Sequence, residues 1–413
     1  MNKRNLFFAS LTLSLSLSAL AENWPAWRGP HADGICTETN LPLRWSTTEN
    51  VRWRVPLPER GNSTPIVWGH RIFVTQPISE GNRGTVMCFD RTNGKLLWQS
   101  GVAIPFKERT HKDNTYSAGS AVTDGERVVC WFGSAGVVAY DLDGKELWRT
   151  DLGKHDHEFG YGGSPVIHGD RVFLNFGPGV REFLVALDKK TGKELWRHQS
   201  PVPSVDNIDG AWGTPLIWEG ARGTQVVSAL RGELAGLDPI TGKVLWRAPT
   251  GGLVSKSSPV VGDGILVMEW EKEHPVVAIR LGDTGTVSES NILWKHNPPK
   301  QRVATAVIHG GLVFGVQRDG LAECTKLETG QMLWSERLKG SGANTKLWSS
   351  PLLSGDRLYA MNQSGETFVY RASSKFEVIA VNSLSELSNS SVVPSNGELF
   401  LRTHAALWCI GGK

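Results

Sequence analysis

Short apolar runs broken by Gly-containing turns recur along this chain with a two-residue alternation, and helix-favouring runs are scarce. In "RVFLNF" (171–176), Val172, Leu174 and Phe176 fall on one side while Phe173 and Asn175 fall on the other, the signature of a strand with two different faces. The same phrase occurs as "STPIVWGHRIFVTQ" (63–76), "GSPVIHGDRVFLNF" (163–176), "SSPVVGDGILVMEW" (257–270) and "SSPLLSGDRLYAMN" (349–362). Each copy reads as a short strand, a turn and a longer strand. A third strand follows, as in "EFLVALD", then an acidic turn, then a fourth strand headed by Trp. Four antiparallel strands in about 40–50 residues make one propeller blade.

The closing aromatics count the blades. Trp98, Trp148, Trp196, Trp246, Trp294 and Trp334 are spaced 50, 48, 50, 48 and 40 residues apart. A seventh, weaker unit puts Phe376 where a Trp is expected, 42 residues on. The last unit, "SSVVPSNGELFLRTHAALWCIGGK", supplies three strands and stops; "NVRWRVPLP", with Trp53, resembles the missing fourth. The expected fold is therefore all-β: an eight-bladed β-propeller of four-stranded antiparallel blades, its ring closed by pairing of the N- and C-terminal strands, which removes exposed sheet edges. A seven-bladed ring with a frayed end is the competing count.

The recurring turn, "ALDKKTGKELW" at 186–196, is architectural. Asp188 is suited to accept backbone N–H groups, Thr191 to do the same more weakly, and Gly192 to supply a positive φ. Lys193 and Glu194 face solvent. Trp196 is expected to bury its ring against the neighbouring blade with its N–H still bonded. A catalytic acid would not be needed once per blade.

Composition changes the picture at the start of the chain. "MNKRN", an apolar Ser-rich stretch and Ala19-Leu20-Ala21 read as a secretory signal peptide cut before Glu22. The expected organisation is a signal peptide at 1–21, an N-terminal extension at 22–49 and a propeller at 50–413, exported to the periplasm or beyond as a monomer with no membrane span in the mature chain. Loss of Lys3 and Arg4 takes the net charge from +3 to +1, which leaves no electrostatic footprint for nucleic acid. The five cysteines, Cys36, Cys88, Cys130, Cys324 and Cys409, form no C-x-x-C pair and read as buried strand thiols.

The phrase A-x-D-x-x-T-G-K-x-x-W, matched at every position by Ala186, Asp188, Thr191, Gly192, Lys193 and Trp196, is a tryptophan-docking motif. Over residues 50–413 the chain resembles the pyrroloquinoline-quinone (PQQ)-like repeat propellers, and "NWPAWRGPHADGI" (23–35) is similar to the opening of exported members of that group. The resemblance implies one of two roles. Quinoprotein dehydrogenases hold PQQ and calcium over the channel and oxidise alcohols or sugars; the assembly factor BamB has the same propeller and serves as a non-catalytic scaffold. The adjacent-cysteine pair of many PQQ alcohol dehydrogenases and the C-x-x-C-H haem signature are missing here. No zincin, nucleophile-elbow or phosphate-loop motif is present either.

Candidate chemistry therefore concentrates at the channel mouth, where long loops at 105–119, 153–163, 201–213 and 339–349 precede inner strands. Tyr116, Tyr161, Trp212, Lys256, Arg302 and Trp348 are expected to converge there, with His111 nearby. Aromatics with two cations suit a flat anion, a sugar or a peptide; the alternative is that they plug the channel. His155 and His157, flanked by Asp156 and Glu158, are candidate metal ligands that need a third, distant partner. Asp206 to Asp209 offer hard oxygens without the spacing of a calcium loop. The leading expectation is a non-catalytic binding or scaffold protein for a protein, small-molecule or carbohydrate ligand; the second is a PQQ- and calcium-dependent dehydrogenase.

Overall fold

The computed structural model of the chain describes residues 22–203, 210–220, 223–250, 255–270, 275–282, 285–297 and 302–412. Eight sheets form in chain order: blade 1 (66–103), blade 2 (122–150), blade 3 (166–199), blade 4 (216–249), blade 5 (260–296), blade 6 (307–337), blade 7 (352–383) and blade 8 (393–410). The fourth strand of blade 8 is Val51–Pro56, antiparallel to Ala406–Ile410 with Trp53 opposite Cys409. The ring thus closes with eight blades. The first strands of blades 1 and 2, of 2 and 3 and of 5 and 6 touch one another, which puts the first strands at the axis.

Ring closure is written in hydrogen bonds around that axis. Two residues before each first strand stands a Ser or Thr. The backbone N–H of each donates to the hydroxyl of the next: Thr64 to Ser120, Ser164, Thr214, Ser258, Thr305, Ser350, Ser391 and back to Thr64, at 2.8–3.2 Å. A buried N–H at a strand's entry has no ladder partner, and the neighbouring blade supplies one.

The docking turns hold the blades together further out. Asp188 Oδ1 accepts N–H groups from Lys190 and Thr191, and Thr191 Oγ1 as well. Six Trp side chains reach across to the next blade: Nε1 of Trp53, Trp98, Trp148, Trp196, Trp294 and Trp334 donates to the carbonyls of Arg91, Leu142, Lys189, Pro239, Leu327 and Ser373 at 2.7–3.2 Å. Gly192 has φ +73°, and a Cβ there would lie 2.5 Å from the Trp148 ring, so its turn needs glycine for both reasons. Trp246 differs: its N–H bonds Gln225 Oε1 in its own blade at 2.7 Å. The outer edge beside it is covered by Gly285–Thr286, which pairs in parallel with Trp246 and Arg247.

Opposite each docking Trp sits a small residue: Cys88, Ala139, Ala186, Gly236, Ala278, Cys324 or Cys409. Three of the five cysteines therefore fill the slot that Ala occupies in "ALDKKTGKELW". All five are buried and free, and burial pushes the thiols of Cys88 and Cys324 up to about 12. Blade 7 corrects one expectation. The Trp register there belongs to Ala380, opposite Val369, with large and small exchanged. Phe376 lies earlier, in the turn, and packs on Trp334 with ring centroids 5.1 Å apart. Spacing alone misplaces it because this turn is rebuilt without the docking glycine.

The segment after residue 21 does not stand apart from the ring. Trp24 pairs with Val67 in blade 1, and Pro25 accepts the Thr123 N–H of blade 2. Ala26 and Ala32 pack into the cores of blades 2–3 and 4–5. Arg28, 3% exposed, donates to the carbonyls of Thr305 (3.0 Å) and Ala306 (2.6 Å) in blade 6. Ile35–Cys36 run parallel to Leu353 and Ser354 of blade 7, and Glu38 accepts the Asn396 and Gly397 N–H groups of blade 8. The N-terminal segment is a plug laid across the channel.

Candidate functional site

The plug turns the channel into a blind cavity of about 480 Å³, with Trp27 on its lining below the Ser/Thr ring. Trp27 also lines a second cavity of about 410 Å³ beside the plug. One register position forms the wall of the first. The residues two before each hydroxyl, Asn62, Ala118, Gly162, Trp212, Lys256, Val303, Trp348 and Asn389, all line it. The chain is extended there, so alternate residues share a side.

This register sorts the expected site residues. Trp212, Lys256 and Trp348 fall on it, and His111 joins them from its loop. Tyr161 and Arg302 stand three before their hydroxyls and are carried to the other side. Tyr161 is buried on Trp131, centroids 4.5 Å apart. Tyr116 sits further out, its hydroxyl donating to the Glu108 carbonyl at 3.2 Å. Phe159 takes the aromatic place in the lining, edge-on to His111 at 5.4 Å. The lining also includes Asp113, Asn114 and Arg318, which composition did not single out. Asn62 and Asn389 had a usable signal: each precedes a ring hydroxyl by two.

Arg302 instead closes a buried ion cluster, at 3.1 Å from Glu269 Oε1 and bonded to Glu323 Oε2. Burial pushes the Glu269 carboxyl up to about 7, Arg302 opposing and Glu323 adding to the rise. A raised carboxyl holds its proton in the folded state when the unfolded chain has lost it. Its contribution to stability is full below the ordinary value of 4.5 and is lost as pH rises through about 7. Glu269→Gln, which cannot ionise, is therefore expected to gain melting temperature relative to the parent between about pH 5 and about pH 8. Thermal unfolding by circular dichroism reads this; a difference that stays flat with pH would place the proton elsewhere.

His155 and His157 are both buried and serve different neighbours. His155 lies among the rings of Trp131, Tyr161 and Phe176 at 5.4–5.7 Å, and burial, reinforced by His157, lowers it to about 4. His157 stands edge-on to Trp212 at 4.8 Å, and its Nδ1 accepts the Phe159 N–H. Asp156 pairs with Arg109 and Lys154. Among the described residues no group of three or more His, Cys, Asp or Glu is placed to hold a metal ion. Asp206 to Asp209 lie outside the described residues.

The electrostatics of the cavity centre on Asp113, 7% exposed. Its Oδ1 accepts from Gln363 Nε2 at 3.2 Å. Lys346 Nζ, Arg318 Nη2 and His111 Nδ1 lie 3.6, 3.8 and 4.0 Å from Oδ2. Burial alone would raise this carboxyl, but the Gln363 bond and the charges of Lys346, His111 and Arg318 outweigh it and hold it below the usual range. Each wall Trp carries a cation over its face: Lys256 Nζ is 5.3 Å from the Trp212 centroid and Arg318 Cζ 5.0 Å from that of Trp348.

An eight-bladed, tryptophan-docked propeller with a plugged channel defines the class. The chain belongs to the PQQ-like repeat family whose model is described as outer membrane protein assembly factor BamB, matched over residues 43–174, 82–335 and 181–411. It is 26% identical over 199 residues to the outer membrane protein assembly factor BamB of Burkholderia pseudomallei, covering 47% of this chain and 46% of that one. It is 28% identical over 203 residues to the 1-butanol dehydrogenase (quinone) of Thauera butanivorans, covering 44% and 31%. The chain spans less than half the length of either relative. Among solved structures, BamB from Moraxella catarrhalis matches with a TM-score of 0.63 at 15% identity, covering 88% of this chain and 97% of that one. The quinohemoprotein alcohol dehydrogenase of Comamonas testosteroni matches at 0.67 and 14%, covering 95% and 81%. These likenesses establish the fold, which serves both roles.

Proposed function

We propose that this chain is a non-catalytic binding propeller, exported by cleavage before Glu22, whose recognition site is the blind cavity at the channel mouth and the loops around it. One observation carries the reading: the Asp113 carboxylate is encircled by Lys346, Arg318 and His111 within 4.0 Å. Calcium takes six to eight oxygen ligands, carboxylates foremost. The described lining offers it one carboxylate, in a field of cations that repels a divalent ion. The residues present do not fit a PQQ–calcium pair, and no oxidation step is derived through one. The cavity's size and aromatic walls suit a small-molecule ligand, and the rest of its lining is largely polar, with ring hydroxyls, asparagines and charged side chains.

Titration calorimetry of the purified mature chain with PQQ and calcium tests this. No saturable heat is expected. Binding near one PQQ per chain, with dye-linked oxidation of an alcohol, would replace this reading with the dehydrogenase one. Mass spectrometry of the exported protein is expected to find Glu22 at its N-terminus.

A further inference from the structure

We propose that the outer edge of blade 1 pairs with the same edge of a second copy of this chain, joining two propellers about a two-fold axis. This holds whatever the channel-mouth cavity binds. A propeller closes around its axis, but each blade ends outward on a fourth strand. Such an edge is a template for another strand unless it is short, charged, broken by proline or covered.

Among the described residues, seven of the eight edges are protected in one of those ways. The fourth strands of blades 2, 3, 5, 6 and 8 all carry charged residues, Glu146 and Arg149 in blade 2 among them. Blade 4 is covered by Gly285–Thr286, and its strand ends in Pro249. The uncharged strand of blade 7, Val378–Ser383, has the N-terminal segment laid against it. There the Trp45 N–H donates to Asn382 Oδ1 at 2.9 Å, and Asn382 Nδ2 to the Leu43 carbonyl at 3.0 Å.

Blade 1 is the exception. Its fourth strand, Leu96–Ala103, reads "LLWQSGVA", eight residues without a charge or a proline. It is the last strand of its sheet, and no described strand pairs beyond it. Leu96 and Leu97 are 41% and 45% exposed. The Gly101 carbonyl accepts the exposed Arg83 guanidinium of the adjacent strand at 3.2 Å, so the stretch open to a partner is Leu96 to Ser100.

The chemistry of this edge selects a second copy as its occupant. Antiparallel pairing of a strand with itself across a two-fold axis gives both copies the partners that each lacks. A neutral edge meets its own copy without the repulsion between like charges that the charged edges would set up. Leu96 and Leu97 gain apolar cover in the same step. The chain covers the edge of blade 4 and packs against that of blade 7 with its own extended segments, and leaves blade 1 to another chain. The monomer expected from sequence gives way to a dimer, because residue order does not show which edges the fold covers.

Sedimentation velocity of the mature chain across a concentration series tests this. The mass is expected to rise from one chain to two, with a dissociation constant of about micromolar order, as a small interface gives. Leu97→Lys is expected to weaken the dimer by about tenfold or more, because both copies lose apolar cover and gain a like charge. Leu147→Lys, on the edge of blade 2 at 44% exposure, is expected to leave the mass unchanged. Near-UV circular dichroism confirms that each variant folds. Gln99→Cys reads the same contact without a change of charge: a short bis-maleimide is expected to link two such chains, while the five native thiols are buried. A single chain at every concentration overturns the proposal. So does a dimer that Leu97→Lys leaves intact, that Leu147→Lys weakens equally, or that Gln99→Cys fails to cross-link.

Discussion

Replacement of Arg402 by alanine is expected to lower stability by about 4 kcal/mol or more, among the largest effects of any single substitution in this chain. Arg402 is fully buried. From blade 8 its guanidinium donates to the Ser63 carbonyl and hydroxyl, to the Thr75 carbonyl at 2.8 Å and to Gln76 Oε1 at 2.6 Å, all in or beside blade 1. These bonds stitch the seam where the last blade meets the first. Alanine leaves Gln76 Oε1 without its donor, at about 1–3 kcal/mol, takes one of two donors from the Thr75 and Ser63 carbonyls, which keep the Ser63 and Ser390 hydroxyls, and opens a cavity besides. Arg402→Lys retains a charge but loses the fork, and is expected to recover only part of the loss. Gly61→Ala strikes the same point from the other side, since a Cβ there would lie 1.7 Å from Arg402 Nη2. Urea unfolding followed by circular dichroism measures all three. A cost under about 1 kcal/mol for the alanine variant would mean that the seam is held elsewhere.

The second large effect is expected at Trp148. Trp148→Ala removes a ring packed on Gly192 and a bond from Nε1 to the Lys189 carbonyl at 2.9 Å. Large-to-small replacement of a buried aromatic costs about 3–5 kcal/mol. Trp148→Phe keeps most of the burial and forfeits the N–H, for about 1 kcal/mol. The loss is expected to appear as a lower urea midpoint, with ligand affinity unchanged in the folded protein, because Trp148 lies away from the cavity lining. Trp246→Ala is the informative contrast. Its N–H serves Gln225 within the same blade, while its ring lies in the core that blades 4 and 5 share, so that variant is expected to lose packing between the two blades without losing a hydrogen bond between them.

Much of this was legible from residue order because it is local. Alternation gave the strands, the Asp–Thr–Gly turn placed Trp196 and its relatives, and the unfinished last unit pointed to Trp53. The Phe376 misplacement shows the limit: once a turn loses its glycine, counting from the previous Trp no longer finds the register. At the channel mouth, Trp212, Lys256 and Trp348 were identifiable by their position ahead of inner strands. Tyr161 and Arg302 look equivalent in sequence, yet an offset of three instead of two turns them away.

The sequence by itself determined the blade, the blade count and the way the ring closes, because strand alternation, turn chemistry and tryptophan docking act within about 50 residues. Only the tertiary structure decided that residues 22–41 cross the channel, that eight hydroxyls join into one circle, and that Asp113 meets cations from the loops around it. Those contacts join residues as much as 373 positions apart. No pattern in the chain encodes them, because they exist only when every blade has brought its own short segment to the common axis.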